Sequence, residues 1–196
     1  ERLLGEGLTT RGSALYRHGQ KVAEGLYGLQ AAYALSDNRY ITLCASNAHS
    51  SDKVWVVNAG CRALAIAPDY RYCVTGEAHT HHLISTIIDT AGNMRYSEPF
   101  YYLHDLSNGT LQPSGAMAFD TQGNLYVATA MGVQVADHNG RVRAILSLPA
   151  GAVQGLAFSG HYLYVLCGER LFVRRMNAVG HIPSEGALTY PSQGQG

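Results

Sequence analysis

One template of strand-length runs recurs along this chain, and a unit of that kind cannot stand alone. Its best-formed copy is PSGAMAFDTQGNLYVATAMGVQVADHNGRV, residues 113–142. Short apolar runs, Met117-Ala118-Phe119, Leu125 to Ala128 and Val133-Gln134-Val135, are separated there by Asp120-Gly123-Asn124 and Asn139-Gly140. The template returns as AAYALSDNRYITLCASNAHSSDKVWVVNAG (31–60), ALAIAPDYRYCVTGEAHTHHLISTIID (63–89) and GLAFSGHYLYVLCGERLFVRRM (155–176). That gives about four copies at a spacing of roughly 30 to 50 residues, the range of propeller blades. Every run is rich in Val, Ile, Tyr, Leu and Thr and is bounded by turn formers. No segment sustains the i, i+3, i+4, i+7 stripe of an amphipathic helix, so the chain reads as all-β.

Each copy holds three or four strands, which leaves apolar faces bare and sheet edges unpaired until copies stack. Radial stacking into a β-propeller covers the faces and leaves only short edges. The first thirty residues, with LLGEGL, SALYRHG and KVAEGL, supply strand-like pieces that read as outer strands of a preceding blade. About four blades is at the low end for ring closure. Completion is therefore expected from the remainder of a longer chain or from a second copy. The blades are placed in residues 1–180 and a C-terminal tail in 181–196, ending in the polar, flexible PSQGQG.

Charge excludes some partners. Lys plus Arg and Asp plus Glu are 14 each, so no net field favours nucleic acid or an anionic membrane surface. No apolar run approaches the ~20 residues of a membrane span. With 196 residues and 46% hydrophobic side chains the chain can bury a real core. It begins at Glu1, the mark of a processed product or of a piece of a longer chain, and the compartment stays open, a secreted or periplasmic bacterial setting being compatible. Cys44, Cys61, Cys73 and Cys167 show no C-x-x-C spacing and read as small buried hydrophobes rather than as a disulfide or zinc framework.

AFDTQGNLYVATAMGVQVADHNGRVRAILSLP followed by GLAFSGHYLYVLCGERLFVRRM resembles the last blades of the senescence marker protein/gluconolactonase family. APDYRYCVTGEAHTHHLIST is similar to another of its blades, with Asp69, Glu77, Thr80 and His81 near matching positions, and RRMNAVGHIPSEG resembles the end of some bacterial members. The resemblance spans 63–176 and covers the first sixty residues only loosely. It implies a six-bladed propeller with a divalent metal at the channel mouth, held by a first-blade glutamate, an asparagine in a PNG turn and an aspartate in a PDG turn. It also implies hydrolysis of sugar lactones or related esters, for which a hard cation on oxygen ligands polarises a carbonyl and activates water.

Those ligands are replaced here. At the PNG position stands Cys61-Arg62-Ala63, and a guanidinium has five donors and no acceptor. At the PDG position, in Pro113-Ser114-Gly115-Ala116-Met117, either Ser114 or Gly115 takes the place of the aspartate. The first-blade glutamate would precede Glu1 if blades are missing, or be Glu24 in the AEGL stretch.

Other polar constellations carry two readings each. Alternation on one strand would put Glu77, His79 and His81 of GEAHTHHL on one side, as a displaced metal site or an acid/base pair; the plainer reading is a polar inter-strand loop. His49 with Asp52 reads as solvated loop chemistry. His104 and Asp105 follow the aromatic run Phe100-Tyr101-Tyr102, where a structural role competes with a catalytic one. Arg62, His81 and His104 are the candidate substrate contacts, and Glu77, His79 and Asp105 the candidate catalytic groups. No G-x-S-x-G nucleophile elbow and no phosphate-cradling glycine loop occurs.

The residues thus predict a gluconolactonase-like propeller module that lacks the usual metal ligands and serves as a binding or structural domain of a larger protein. No cofactor is expected, or calcium or zinc if a relocated site exists; a small carbohydrate-like ligand fits. The alternative is an active metal-dependent sugar-lactone or ester hydrolase. A third reading is an unrelated propeller with convergent blades.

Overall fold

The computed structural model describes residues 2–36, 38–48, 53–57, 61–77, 80–104, 116–149 and 153–189. The first sheet is β1 (Arg2–Gly5), β2 (Leu8–Arg11), β3 (Ala14–Arg17) and β4 (Gln20–Ala23), an up-and-down antiparallel meander. A two-stranded patch, β5 (Leu26–Tyr27) with β8 (Ser46–Asn47), accompanies the second sheet of β6 (Ala31–Ala34), β7 (Tyr40–Leu43) and β9 (Val54–Val57). The third sheet is β10 (Cys61–Ile66), β11 (Tyr72–Glu77), β12 (His82–Ile88) and β13 (Met94–Tyr102). The fourth is β14 (Met117–Phe119), β15 (Leu125–Thr129), β16 (Gly132–Ala136) and β17 (Val142–Leu146). The fifth has three strands, β18 (Val153–Ser159), β19 (Tyr162–Cys167) and β20 (Arg170–Arg175). The only helical turn among the described residues is a 3-10 turn at Pro183–Glu185.

The chain is all-β with five blades, and this corrects the count of about four. Residues 2–23 are not outer strands borrowed by a neighbour but a complete four-stranded meander of their own. A sixth blade is not found among the described residues. The four longer copies fall where the sequence template placed them.

Turn chemistry explains why the strands break where they do. Asp120, fully buried between β14 and β15, accepts hydrogen bonds from the backbone N–H of Gln122 (2.9 Å) and Asn124 (2.9 Å) and from the Asn124 side-chain amide (2.8 Å). Gly123 between them has φ 82°, a left-handed conformation that costs glycine little. Asp89 repeats this between β12 and β13, bonding the N–H of Ala91 (3.0 Å) and Asn93 (2.8 Å). Asp137 does so between β16 and β17 with Asn139 (2.9 Å) and Arg141 (3.1 Å). The D-x-x-G-N or D-x-x-G-R pattern is thus an Asp-closed hairpin turn, not a catalytic signature.

The hydrophobic cores lie between blades. Leu8, Leu15, Leu26 and Ala32 join the first to the second; Ile41, Leu43, Trp55, Leu64, Ile66 and Cys73 join the second to the third. Val74, Leu83, Tyr101, Met117, Phe119 and Val127 join the third to the fourth, and Tyr126, Ala128, Val133, Leu163 and Val165 join the fourth to the fifth. Each fully buried Val, Leu or Phe contributes ~1.5–3 kcal/mol, so these seams hold the series together. Cys44, Cys73 and Cys167 are buried and not in disulfides, as their sequence setting implied, whereas Cys61 is only half-buried.

After β20 the chain turns back across the end where the innermost strands β6, β10, β14 and β18 finish. Gly180 N–H donates to the Gly160 carbonyl (2.9 Å), Thr121 N–H to Val179 (2.8 Å), His181 N–H to Phe119 (2.9 Å) and Leu188 N–H to Pro68 (2.7 Å). The Tyr70 hydroxyl bonds the Pro183 carbonyl, and Ser184 bonds the Glu6 carboxyl. Tyr33, Ala65, Phe119, His181 and Pro183 line a small cavity beneath. One segment therefore touches all five blades, and residues 181–189 are a strap across the propeller. Residues 190–196, with most of PSQGQG, lie outside the described residues.

Candidate functional site

In a meander propeller the loops entering the innermost strands and the second-to-third hairpins emerge at one end, and the first-to-second hairpins at the other. The strap covers the second end. The positions of Arg62, Glu77 and His81 belong to the first, where the channel mouth is expected.

Arg62 is the second residue of β10. Cys61 pairs with Glu77 and Ala63 with Gly76, so Arg62 is the extra residue of a β-bulge at the start of the innermost strand. Bulges re-aim side chains and recur near functional sites. Glu77, the last residue of β11, lies across the ladder from Cys61 and beside that bulge.

Among the described residues, no single strand carries both Glu77 and His81: β11 ends at Glu77 and β12 begins at His82. His79 is outside the described residues. The exposed His81 ring lies edge-on to His82 (centroids 5.7 Å) and 6.4 Å from Tyr102, while its carbonyl accepts from Leu103 N–H (2.7 Å). The result is a small aromatic cluster of two imidazoles and a phenol beside the outer strands of blade three.

His104 is exposed, but its backbone is held. The Gln134 side chain, fully buried in β16, accepts from His104 N–H (2.8 Å) and donates to the His104 carbonyl (2.8 Å), with Thr129 Oγ1 at 3.3 Å as a further acceptor. This clamp fixes the chain one residue before the 105–115 stretch. Asp105, Ser114 and Gly115 lie there, outside the described residues, as do His49 and Asp52. Sequence reasoning missed Gln134; the available signal was one amide inside the apolar run Val133-Gln134-Val135.

Glu24 directly follows β4, the outermost strand of blade one. It is exposed and paired to Lys21 Nζ at 2.8 Å, and that hydrogen bond holds its carboxyl below the usual range. Among the described residues no three His, Cys, Asp or Glu side chains converge as a metal site.

A second ionisable group sits at the opposite end, beneath the strap. Burial pushes the Glu6 carboxyl up, against the hydrogen bond from Ser184 and the nearby Arg17 charge. Burial, then the Glu6 charge, pushes the Tyr33 phenol to about 12. His181 is buried and its pKa is lowered by that burial, against the opposing pull of Glu185. Its Nε2 lies 3.0 Å from the Gly186 carbonyl, which can only accept, so Nε2 carries the proton of a neutral ring. This is the chemistry of a closed structural junction between strap and blades.

No family model matches the chain, and no curated protein matches it. Solved structures do. A gluconolactonase from Xanthomonas campestris superposes with TM-score 0.51 at 19% identity, over 58% of this chain and 36% of its own. The calcium-binding protein regucalcin from Agrobacterium tumefaciens gives TM-score 0.53 at 13% identity, over 80% of this chain and 55% of its own. The WD40 β-propeller domain of Doa1 gives 0.54 at 15%, over 85% and 56%. The chain thus spans between about a third and just over half of these proteins' lengths. At such identities the likeness is one of fold, and it includes the propeller type that the sequence resembles.

Proposed function

We propose, from the premise that this chain has the fold of the gluconolactonase-type β-propellers, that it works as a binding or structural module of that type and not as a metal-dependent hydrolase. The observation that carries this reading is Arg62. It stands where the resemblance puts a metal-binding asparagine, in a bulge at the start of the innermost strand of blade three. A guanidinium stays protonated, repels a cation and cannot ligate one. Ser114 or Gly115, in place of the aspartate, adds no negative oxygen. A permanently charged arginine at this sequence position suits an anionic or hydroxyl-rich small molecule, such as a sugar acid, held by bidentate hydrogen bonds.

The alternative, an active lactone or ester hydrolase, draws on Glu77, which ends its strand beside the same bulge, and on the clamp that sets His104 ahead of Asp105. Metal content of chelator-free protein, with calcium and zinc titrations read by thermal unfolding and a sugar-lactone hydrolysis assay, separates the two. The module reading expects no stoichiometric metal, no concentration-dependent rise in midpoint and no turnover. A stoichiometric ion with a saturable rise, together with lactone hydrolysis, overturns it.

A further inference from the structure

The strap is held by strained residues and by groups that can change charge, and hardly by apolar burial. Its 3-10 turn at Pro183–Glu185 buries no side chain, and within residues 181–189 only His181 is buried. Its bonds go largely to the hairpins that join first strands to second strands. Leu188 N–H reaches the Pro68 carbonyl (2.7 Å), the Tyr70 hydroxyl bonds the Pro183 carbonyl, and Ser184 bonds the Glu6 carboxyl. Glu6 and Tyr70, whose side chains make two of these bonds, both have left-handed backbone, with φ 51° and φ 60°. Neither is a glycine or an asparagine, so each conformation carries a cost that only the surrounding contacts offset. In the blades, by contrast, β15 is buried at every position.

The groups around Glu6 favour one protonation state of the closed strap. Its carboxyl faces Arg17 on β3, Tyr33 on β6, and Ser184 and Glu185 on the strap, and its Oε2 has no hydrogen-bond partner. Burial, the largest influence, disfavours the carboxylate; Glu185 acts the same way, while Ser184 and Arg17 oppose both. A carboxylate formed there is hydrated only when the strap lifts, and lifting also removes the contacts that hold Glu6 and Tyr70 in their left-handed turns. His181 has the opposite sign. Its Nε2 faces the Gly186 carbonyl, its Nδ1 has no partner, and Glu185 and the edge of the Tyr70 ring lie beside it, so a second proton is disfavoured by burial and acts only on the acid side. We propose that residues 181–189 are a latch that opens as a unit while the blades stay folded, uncovering the ends of the innermost strands, and that ionisation of Glu6 releases it. This goes beyond the function proposed above and does not depend on the state of the channel mouth.

Amide hydrogen exchange of the full chain, read residue by residue at pH 8 and near pH 4, tests this. Protection at the His181, Glu185 and Leu188 amides is expected to be about a hundredfold or more below that of β15. At pH 8 Glu6→Gln is expected to raise the protection of those three amides about threefold or more and to leave β15 unchanged, whereas near pH 4 the two chains agree. Tyr70→Phe, which keeps the left-handed residue and loses the bond to Pro183, is expected to lower strap protection about fivefold at both pH values. Strap and β15 amides that exchange together overturn the latch, because the strap then opens only with the whole protein. Equal strap protection in Glu6→Gln and the wild type at pH 8 overturns its release by Glu6. The β15 amides report in the same run whether each variant has kept its fold, and the wild type alone decides the first point. None of these outcomes alters the metal and lactone result, so the two proposals fail separately.

Discussion

Gln134 and His104 are joined by a matched pair of hydrogen bonds, amide oxygen to backbone N–H and amide nitrogen to backbone carbonyl, each 2.8 Å. The side chain in the middle of blade four thereby replaces a strand partner for the last described residue before the 105–115 stretch. A buried amide is costly to place in a core unless its groups are satisfied, and here both are.

Gln134→Leu keeps the volume and removes both bonds, so two backbone groups of His104 lose their partners. The expected loss is about 2–4 kcal/mol of stability by urea unfolding, with faster proteolysis between residues 104 and 116. Gln134→Glu, which can still accept from His104 N–H but cannot donate, is expected to fall between. Unchanged stability and cleavage in Gln134→Leu would show that the clamp contributes nothing.

The strap carries a pH dependence of definite sign. The Glu6 carboxyl is raised above its ordinary value of 4.5, so its contribution is fully present below that value and is lost as pH rises through the folded-state value. Glu6→Gln removes that dependence while keeping the shape. It is expected to have a higher melting midpoint than the wild type at pH 8 and an equal one near pH 4. His181 acts in the other direction: its lowered pKa gives stability present above 6.5 that is lost as pH falls through the folded-state value. Melting curves of both chains from pH 4 to 8 check this. A Glu6→Gln curve parallel to the wild type at every pH contradicts it.

The three Asp-closed turns differ in burial, and that decides what each contributes. Asp120 is fully buried and accepts from four donors, the fourth being the Tyr126 hydroxyl, so Asp120→Ala leaves buried donors unsatisfied and is expected to cost about 3 kcal/mol or more. The Asp89 side chain keeps 30% exposure and water can replace it, so Asp89→Ala is expected to cost about 1 kcal/mol or less. Chemical denaturation of the two variants gives the comparison, and equal losses would mean that burial is not what sets the cost.

The sequence by itself determined the all-β class, the four longer blades and the turns that bound their strands. Those signals are local: period-two alternation and Asp-Gly-Asn chemistry act within a few residues. Blade one was harder to read because its strands are only four residues long and their apolar positions are interrupted by Thr9, Arg11 and Lys21; a partner sheet, not a pattern, decides that Leu8 and Leu15 are core. GEAHTHHL carried both a strand and a loop reading, and the ladder from Cys61 stops at Glu77. The strap has no periodicity at all, and its place is set by backbone bonds to Phe119, Gly160 and Pro68, forty residues or more apart along the chain. Only the tertiary structure shows that Gln134 holds His104, that Arg62 sits in a bulge, and that β15 is covered twice and β19 once. The strand sequences of blades four and five call for burial equally, and which of them receives it depends on what is stacked beside it.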